Sequence, residues 1–325
     1  GFADFGFPES HSFSFALLVY ISAWLKVFHP AAFYAAILAS QPMGFYSPQS
    51  LVADARRHGL AVRGPDVAVS GAKAQVEQTG PGDRPFSKLL RGDPNFGVRL
   101  GLASIRRISQ AVGERIVAQR QIKPFTSLED LAQRCELTPG QMEALATAGA
   151  LTALEPDRRR ALWAAGAVGG AGELPGTTPG LVAPTLPGMS DEELAQADVW
   201  ATGVTLGEYP TIHIRPELNA AGVIPNAEIS QHRDGEWVKV AGVVTHRQRP
   251  NTAYGVTFIN LEDETGQLNI ICTKDVWNRY RKAGRTASAL VISGRLEKQD
   301  GSVGVKAGHL HPLRLRVPAK SRDFH

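Results

Sequence analysis

The sequence predicts a multi-domain α+β protein: a mainly helical N-terminal part, then a linker, then an all-β barrel. Three observations support this prediction. Apolar residues recur at helical spacing in much of residues 1–165, and Gly, Pro and Thr dominate residues 166–189. From residue 236 onward, apolar and polar residues alternate. At 325 residues, the chain is long enough for about two or three domains.

Residues 1–70 begin with a turn at Gly6 and Pro8 that leads into an apolar helix, which Ser10 or Ser12 is expected to cap. Pro30 ends this helix and begins the next. Three polar residues lie at the ends of this apolar helix. They are Ser10, His11 and Lys26. By themselves they fit two packed core helices with a capping serine and a solvated lysine.

A third helix is predicted to begin at Ser47-Pro48 and to end at Gly59, because serine caps, proline starts and glycine ends helices. Residues 60–69 follow as a strand with a turn at Gly64-Pro65. Residues 71–97 are rich in Gly, Pro and charge, which predicts a loop or a weak hairpin.

Residues 98–165 predict a helix-hairpin-helix domain, because short helices alternate with tight turns. A short strand at 98–102 precedes a helix at 105–120, and capping boxes start at Thr126 and Thr138. Such units bind phosphates through backbone amides at a helix N-terminus. Arg106 and Arg107 are therefore candidate DNA contacts. A small helical spacer with a solvated arginine pair is an equally open interpretation.

Residues 190–235 predict a helical connector whose first helix opens with a capping box at Ser190. Within that helix, Gln196-Ala197-Asp198-Val199-Trp200 loosely resembles peptides that dock on sliding clamps. The favoured interpretation is that Val199 and Trp200 face a core.

Residues 236–318 predict three strands, a helix from Asp275 to Lys282, and two more strands joined by a turn at Asp300-Gly301. This is the order of an OB fold, a partly open barrel that takes single-stranded nucleic acid; residues 319–325 form a tail. Fifteen Lys and Arg stand against eight Asp and Glu from residue 236 to 325. Such a basic module suits a phosphate backbone.

Three residues on the loop after the first barrel strand are candidate DNA contacts, because arginine pairs with phosphates and aromatic rings stack on bases. They are Arg247, Arg249 and Tyr254. On the barrel helix, Trp277 and Tyr280 could do the same, but we expect them to plug the bottom of the barrel.

Net charge, cysteine count and the length of apolar runs limit the classes of function that the chain can have. The net charge of +4 and the pI of about 9.1 are compatible with nucleic acid. The two cysteines, Cys135 and Cys272, are too few for a disulfide framework or a cysteine-rich zinc site, and we expect small core residues in a reducing compartment. No apolar run reaches the roughly 20 uncharged residues that span a bilayer. We therefore expect no membrane partner and no bound metal.

Residues 5–38, FGFPESHSFSFALLVYISAWLKVFHPAAFYAAIL, resemble the fingers region of C-family bacterial DNA polymerases of the DnaE type. Later segments resemble the same family, with Tyr209 where a histidine is usual. They are Thr202–Pro210, Arg247–Pro250, Leu261–Gly266 and Ser321–His325. Ser40–Tyr46 and the C-terminal segments resemble its error-prone branch. Because the chain begins at Gly1 within an organised segment, we expect a fragment of a longer polypeptide.

The resemblance implies that residues 1–70 are the C-terminal part of the fingers, where Ser10, His11 and Lys26 would contact nucleotide or primer–template. It implies Mg²⁺ in the palm of the parent enzyme, held by an Asp-x-Asp pair and a further Asp. No Asp-x-Asp occurs in this sequence, so the fragment is predicted to bind DNA without polymerising. Arg107 replaces a glycine that the family usually carries in its first hairpin.

The resemblance also implies a bacterial cytoplasmic protein that acts in DNA replication and damage-induced repair, with a sliding clamp and translesion accessory proteins as possible partners. Two alternatives stay open. One is a non-catalytic DNA-binding or partner-recruiting module. The other is an OB fold used only for protein contact, in which Arg247 and Arg249 could be lost without effect on DNA affinity.

Overall fold

The computed structural model describes residues 9–44, 46–168, 183–299, 301–317 and 322–324. Gly6, Pro8, Phe45, Asp300, most of the predicted linker and part of the tail lie outside these ranges. Three helices come first, and they are α1 (Glu9–Phe28), α2 (Pro30–Ala39) and α3 (Pro48–Arg57). Pro30 begins α2, and the Ser47 side chain caps α3, as predicted. The predicted caps Ser10 and Ser12 lie inside α1 instead.

α1 differs from the sequence-based expectation in a second way. None of its residues is buried, and its 20 residues are long and apolar enough to cross a membrane by length and composition, with a mean hydropathy of 1.4. Glu9 and Lys26 are charged, so the helix is not a run of roughly 20 uncharged residues, and the expectation about such a run is not contradicted. Length and composition are weak evidence for a membrane span, because soluble core helices meet the same criteria.

A three-stranded sheet follows α3, and its strands are β1 (Val62–Arg63), β2 (Gln75–Gln78) and β3 (Phe96–Arg99). β3 lies in the centre, parallel to β1 and antiparallel to β2. The weak hairpin predicted for residues 71–97 thus exists, whereas the strand predicted for 60–69 is only two residues long. Tyr34, Leu60 and Val98 form the core between this sheet and the N-terminal helices.

Four helices form the next unit, and they are α4 (Gln110–Ile122), α5 (Leu128–Arg134), α6 (Pro139–Thr147) and α7 (Arg158–Ala167). α4 begins later than predicted because Ser109 caps it, which leaves residues 105–108 as a hairpin turn. The cap of α5 is Ser127 rather than Thr126. The box at Thr138 is confirmed. Ile116, Leu131 and Leu145 are in the core of this unit.

The connector contains α8 (Asp191–Thr202) and α9 (Arg215–Ala220). The capping box that begins α8 at Ser190 is confirmed, and Gly203 ends the helix in the left-handed conformation that glycine tolerates.

The barrel is built from β4 (Trp237–Gln248), β5 (Thr257–Glu262), β6 (Gln267–Cys272), β7 (Ala289–Gln299) and β8 (Ser302–Pro312). β9 (Arg322–Phe324) adds to its edge. The strand order β5-β6-β8-β7-β4, closed by pairing of β4 with β5, confirms the OB fold. The single predicted helix is two short helices, α10 (Lys274–Arg279) and α11 (Arg281–Thr286). Trp277 fills the barrel bottom, as expected.

Candidate nucleic-acid interface

A row of outward-facing side chains crosses all five strands of the barrel in direct register. β5 pairs Phe258 with Ile271 of β6, which pairs with Lys306 of β8. Lys306 pairs with Arg295 of β7, which pairs with Trp237 at the start of β4. These five residues are called the cross-strand row below. Four strand spacings of about 4.8 Å give it a length of about 19 Å along the curved sheet.

The cross-strand row faces solvent because side chains alternate between the two faces of a strand. The inward neighbours of the row are fully buried in the barrel, among them Ile259, Ile270 and Leu296. Trp237, by contrast, is 57% exposed. Exposed aromatic rings on either side of two cations can stack on bases while the cations meet phosphates, which is how single strands are held without sequence preference.

The cross-strand row is not among the predicted site residues, although the period-two pattern contains its members. Trp237, Phe258 and Arg295 each stand next to a buried apolar residue, so alternation places them outward. What alternation cannot supply is the register between strands. The row exists only because β4, β5, β6, β7 and β8 pair so that one outward residue of each strand comes into line.

Polar side chains lie beside the cross-strand row, one pleat along. The Asn260 side-chain amide donates to the Asn269 side-chain oxygen across β5 and β6, at 3.2 Å. Amide side chains have donors and acceptors that match base edges. The surface therefore combines stacking, charge and hydrogen bonding.

The loop of residues 249–256, called the barrel loop below, contains two of the predicted DNA contacts. Arg249 is exposed, and the Tyr254 side chain is 94% exposed on a backbone with φ of 50°. A left-handed tyrosine is strained by about 1–3 kcal/mol, and such strain concentrates at functional sites. The two residues are available for DNA, as predicted, and their contact with DNA stays a prediction.

Arg247 is placed differently from its prediction as a DNA contact. Its side chain is 5% exposed, and Nε donates to the Gly284 carbonyl at 2.5 Å, while a terminal nitrogen donates to the Ala287 carbonyl. The cause is a bulge between Val244 and His246, which reverses the inward–outward alternation of β4. Arg247 therefore points into the barrel and holds the end of α11.

The two predicted barrel plugs have different surroundings. Trp277 is buried among the core residues, whereas Tyr280 packs against the core from its edge. The Tyr280 hydroxyl lies 2.7 Å from Nδ1 of His309. Both rings are thus occupied within the barrel, which agrees with the structural interpretation of these residues.

The candidate fingers residues lie at the two ends of α1. Ser10 and His11 are exposed near the start of α1, and the His11 ring contacts Phe15. Lys26 lies sixteen residues further along the same helix, which corresponds to about 24 Å at 1.5 Å per residue. These residues cannot meet one phosphate together. Their predicted contact with nucleotide or primer–template stays a prediction.

Lys26 is also occupied within the protein. Its Nζ lies 2.8 Å from Asp54 on α3, and the Tyr34 hydroxyl donates to the same carboxylate oxygen at 2.5 Å. Burial opposes ionisation of Asp54, but these hydrogen bonds outweigh it and hold the pKa of Asp54 below its ordinary value. Lys26 thus ties α1 to α3.

The first hairpin of the four-helix unit holds Arg107 at φ of 68°. This is the left-handed conformation that glycine adopts freely, which accounts for the glycine usual here in the resembled family. The Arg107 guanidinium lies toward Gly140 and within 3.7 Å of Glu143. Arg106 lies with its guanidinium 5.1 Å from the centre of the Trp200 ring. Both arginines are on the surface, and their contact with DNA stays a prediction.

Trp200 does not face a core. It is exposed beneath Arg106, while its neighbour Val199 is half-buried and Asp198 pairs with Arg158 at 2.6 Å. The favoured interpretation of this segment was therefore wrong for Trp200. A cleft of about 590 Å³ begins beside it and reaches Thr245 of β4.

The acidic turn Glu262–Glu264 joins three parts of the chain. Arg57 of α3 lies 2.7 Å from Glu262, and Arg215 of α9 pairs with Asp263 and Glu264. Burial raises the pKa of Glu262. Burial also opposes ionisation of Glu264, but hydrogen bonds from Arg215 and Thr211 outweigh it and lower the pKa of Glu264.

Carboxylates that already neutralise arginines do not fit a magnesium site. In the described part of the chain, no group of three or more His, Cys, Asp or Glu could hold a metal ion. The buried thiols are equally unreactive, because burial raises the pKa of Cys135 to about 11 and that of Cys272 to about 12.

Two family models match the chain. Residues 59–161 match a helix-hairpin-helix motif, and residues 238–313 match an OB-fold nucleic acid binding domain. Error-prone DNA polymerases of Nocardia farcinica and Mycobacterium tuberculosis are each 53% identical to the chain over 99% of its length. That of Cutibacterium acnes is 45% identical over the same share. The chain is therefore similar over nearly its whole length to one part of these error-prone DNA polymerases. It spans 28–31% of the length of these relatives.

Solved structures are only weakly similar to the chain. An asparaginyl-tRNA synthetase from Pyrococcus horikoshii is 20% identical, with a TM-score of 0.25 over 29% of this chain and 23% of that chain. At this level of similarity it carries no argument about function.

Proposed function

We propose that this chain is the DNA-binding C-terminal portion of an error-prone DNA polymerase that acts in replication and damage-induced repair synthesis. The similarity to enzymes of that name over 99% of the chain supports the polymerase assignment. The cross-strand row carries the DNA-binding assignment, because it puts two exposed aromatic rings and two cations in register on an OB barrel. Its ligand is single-stranded DNA, beside primer–template held elsewhere on the chain.

Nucleotidyl transfer belongs to another part of the parent enzyme in this proposal. Two-metal chemistry needs carboxylates that can share Mg²⁺, and the acidic turn is engaged by Arg57 and Arg215. The sequence has no Asp-x-Asp pair. In this proposal, the palm of the parent enzyme holds the Mg²⁺. The parent enzyme is proposed to act in the bacterial cytoplasm. The chain alone is expected to give no primer extension with Mg²⁺ and all four deoxynucleotides.

The alternative is a non-catalytic module that uses the helix-hairpin-helix unit and the OB barrel alone. Such a module has no need of the fingers-like segment at residues 5–38. The similarity to error-prone polymerases covers nearly the whole chain, which favours the polymerase. The domain boundaries given above belong to the same proposal.

The proposal extends to protein partners. Gln196 and Trp200 are both exposed on α8, which supports α8 as a docking segment for a sliding clamp. However, Asp198 between them is buried in an ion pair with Arg158. Docking as an extended peptide would have to break this pair and unwind the helix. Translesion accessory proteins are proposed as partners of the parent enzyme because segments of the chain resemble the error-prone branch.

The row is tested by removing its rings. Trp237→Ala and Phe258→Ala should each weaken binding of a fluorescent oligothymidine of about 16 nucleotides, because a base–aromatic stack is worth about 1–3 kcal/mol, or about 5- to 150-fold in affinity. Fluorescence anisotropy measures the dissociation constant. Trp163→Ala, at another half-exposed tryptophan on α7, is the matched control and should bind as the wild type does. Unchanged affinity in both row variants would overturn the proposal.

Gly308→Ala tests the same row without removing a ring. A methyl group at Gly308 would clash with the outer edge of the Trp237 indole, which packs over this glycine. We expect the ring to be displaced and the affinity to fall less than in Trp237→Ala. If the double variant Trp237→Ala/Gly308→Ala binds more weakly than Trp237→Ala alone, the glycine acts by another route.

A further inference from the structure

Five exposed cations lie within twelve residues of the two barrel helices. They are Lys274, Arg279, Arg281, Lys282 and Arg285, and they are called the helix patch below. The only acidic residue in this stretch is Asp275. The helix patch therefore carries a local excess of positive charge as large as the net charge of the whole chain, which is +4.

The cations of the helix patch have no carboxylate partner in the described part of the chain. Elsewhere, arginines are commonly paired. Arg99 pairs with Glu77 and Arg159 with Glu193, at 2.5 and 2.8 Å. Five neighbouring cations without such partners repel one another, at a cost in free energy. An external polyanion would remove that repulsion.

The helix patch presents charge without a stacking surface. Of the two aromatic residues on these helices, Trp277 is buried in the barrel and the Tyr280 hydroxyl is bonded to His309. Side chains that offer charge alone bind a sugar–phosphate backbone and not its bases. The helix patch thus differs in chemistry from the cross-strand row, which offers rings as well.

The helix patch is continuous with the barrel loop. A methyl group at Gly255 would lie 3.3 Å from the Lys274 side chain and 3.6 Å from the Arg249 guanidinium, so these two cations flank the loop. Arg247 fixes this arrangement from inside, because it bonds to the carbonyls of Gly284 and Ala287 at the end of α11. The strand before the loop and the helices below it therefore form one rigid edge.

We propose that the helix patch binds the phosphate backbone of the single strand where that strand leaves the barrel face past Arg249. This inference rests on the proposed function, because the cross-strand row must hold the same strand. The row holds the bases, and the helix patch holds the phosphates that follow. The strand's contact length is thereby extended from the sheet onto α10 and α11.

The test uses two labelled oligothymidines and the 325-residue chain. One oligonucleotide has about 4 nucleotides and fills only the row, and the other has about 16 and reaches the helix patch. In Arg281→Glu/Lys282→Glu/Arg285→Glu, the dissociation constant for the long oligonucleotide should rise at least tenfold. The slope of log affinity against log salt should flatten by about 2, since each phosphate contact on a single strand contributes about 0.7. Binding of the short oligonucleotide should change far less.

A matched variant, Lys88→Glu/Lys123→Glu/Arg233→Glu, changes the net charge equally at exposed sites on other elements and should keep the wild-type slope. Thermal unfolding checks that both variants are folded. If the wild-type chain binds neither oligonucleotide, the proposed function fails. If it binds both and the helix-patch variant binds the long one equally well, only this inference is overturned. A duplex DNA hairpin serves as a third probe. If the helix-patch variant loses affinity for the hairpin alone, the inference is overturned in favour of a duplex-binding site.

Discussion

The acidic turn and the helix patch lie on one barrel and use charge in opposite ways. In the acidic turn, Glu262 and Asp263 are fully buried, and arginines from α3 and α9 neutralise them. In the helix patch, all five cations are exposed and lack a carboxylate partner in the described structure. Paired, buried charges connect parts of a chain, whereas unpaired, exposed charges are available to a ligand. The first should matter for stability and the second for affinity.

The largest effect on stability is expected from removing Arg215. Arg215→Ala leaves Asp263 and Glu264 buried without their cation, which typically costs about 3–5 kcal/mol. We expect urea unfolding to show a loss of this size. Arg281→Ala in the helix patch should change the free energy of unfolding by less than about 0.5 kcal/mol. Equal losses in the two variants would show that the helix patch is structural as well.

Arg247 and Arg249 show the same difference between a structural and a ligand-binding charge, although they are only two residues apart. Arg247→Ala leaves the carbonyls of Gly284 and Ala287 without their donor, so we expect a loss of about 1–3 kcal/mol in unfolding free energy. Arg249→Ala should leave stability unchanged and flatten the salt slope of oligothymidine binding by about 0.7. The structural role of Arg247 would be contradicted by an Arg247→Ala protein that has wild-type stability but binds DNA poorly.

Arg107 offers a smaller effect with the opposite sign. Arg107→Gly relieves a left-handed backbone at φ of 68° and should stabilise the chain by about 1 kcal/mol in urea unfolding. The exposed pair with Glu143 contributes little. Arg106→Gly, at the neighbouring position without positive φ, is the control and should not stabilise. A destabilised Arg107→Gly would mean that the guanidinium contacts near Gly140 outweigh the strain.

The smallest expected effect is a change in pH dependence. Burial raises the pKa of Glu262 above its ordinary 4.5, so the folded state binds a proton more readily than the unfolded state. Its contribution to stability is present below about pH 4.5 and is lost as the pH rises through the raised pKa. Glu262→Gln lacks this loss. The variant should therefore gain stability relative to wild type as the pH rises from 4 to 7, measured by thermal unfolding with buffer-matched controls. A constant difference would contradict the prediction.

The helices and the strand order followed from local chemistry that the sequence states directly. Ser47, Thr138 and Ser190 cap helices by bonding to nearby amides, and period-two alternation gave the five barrel strands. What depends on distant pairing could not be predicted. One bulge in β4 turned Arg247 inward, and the register of five strands brought the cross-strand row into line. The partners of the acidic turn come from residues 57 and 215, far away in sequence.

The most direct test of the account compares salt slopes for binding of one oligothymidine of about 16 nucleotides. Trp237→Ala/Phe258→Ala removes stacking, which does not release counterions, so affinity should fall while the slope stays at the wild-type value. Arg281→Glu/Lys282→Glu/Arg285→Glu removes phosphate contacts, so the slope should flatten by about 2. If both variants change the slope alike, or neither loses affinity, the division of this barrel into a stacking row and a phosphate-binding patch is wrong.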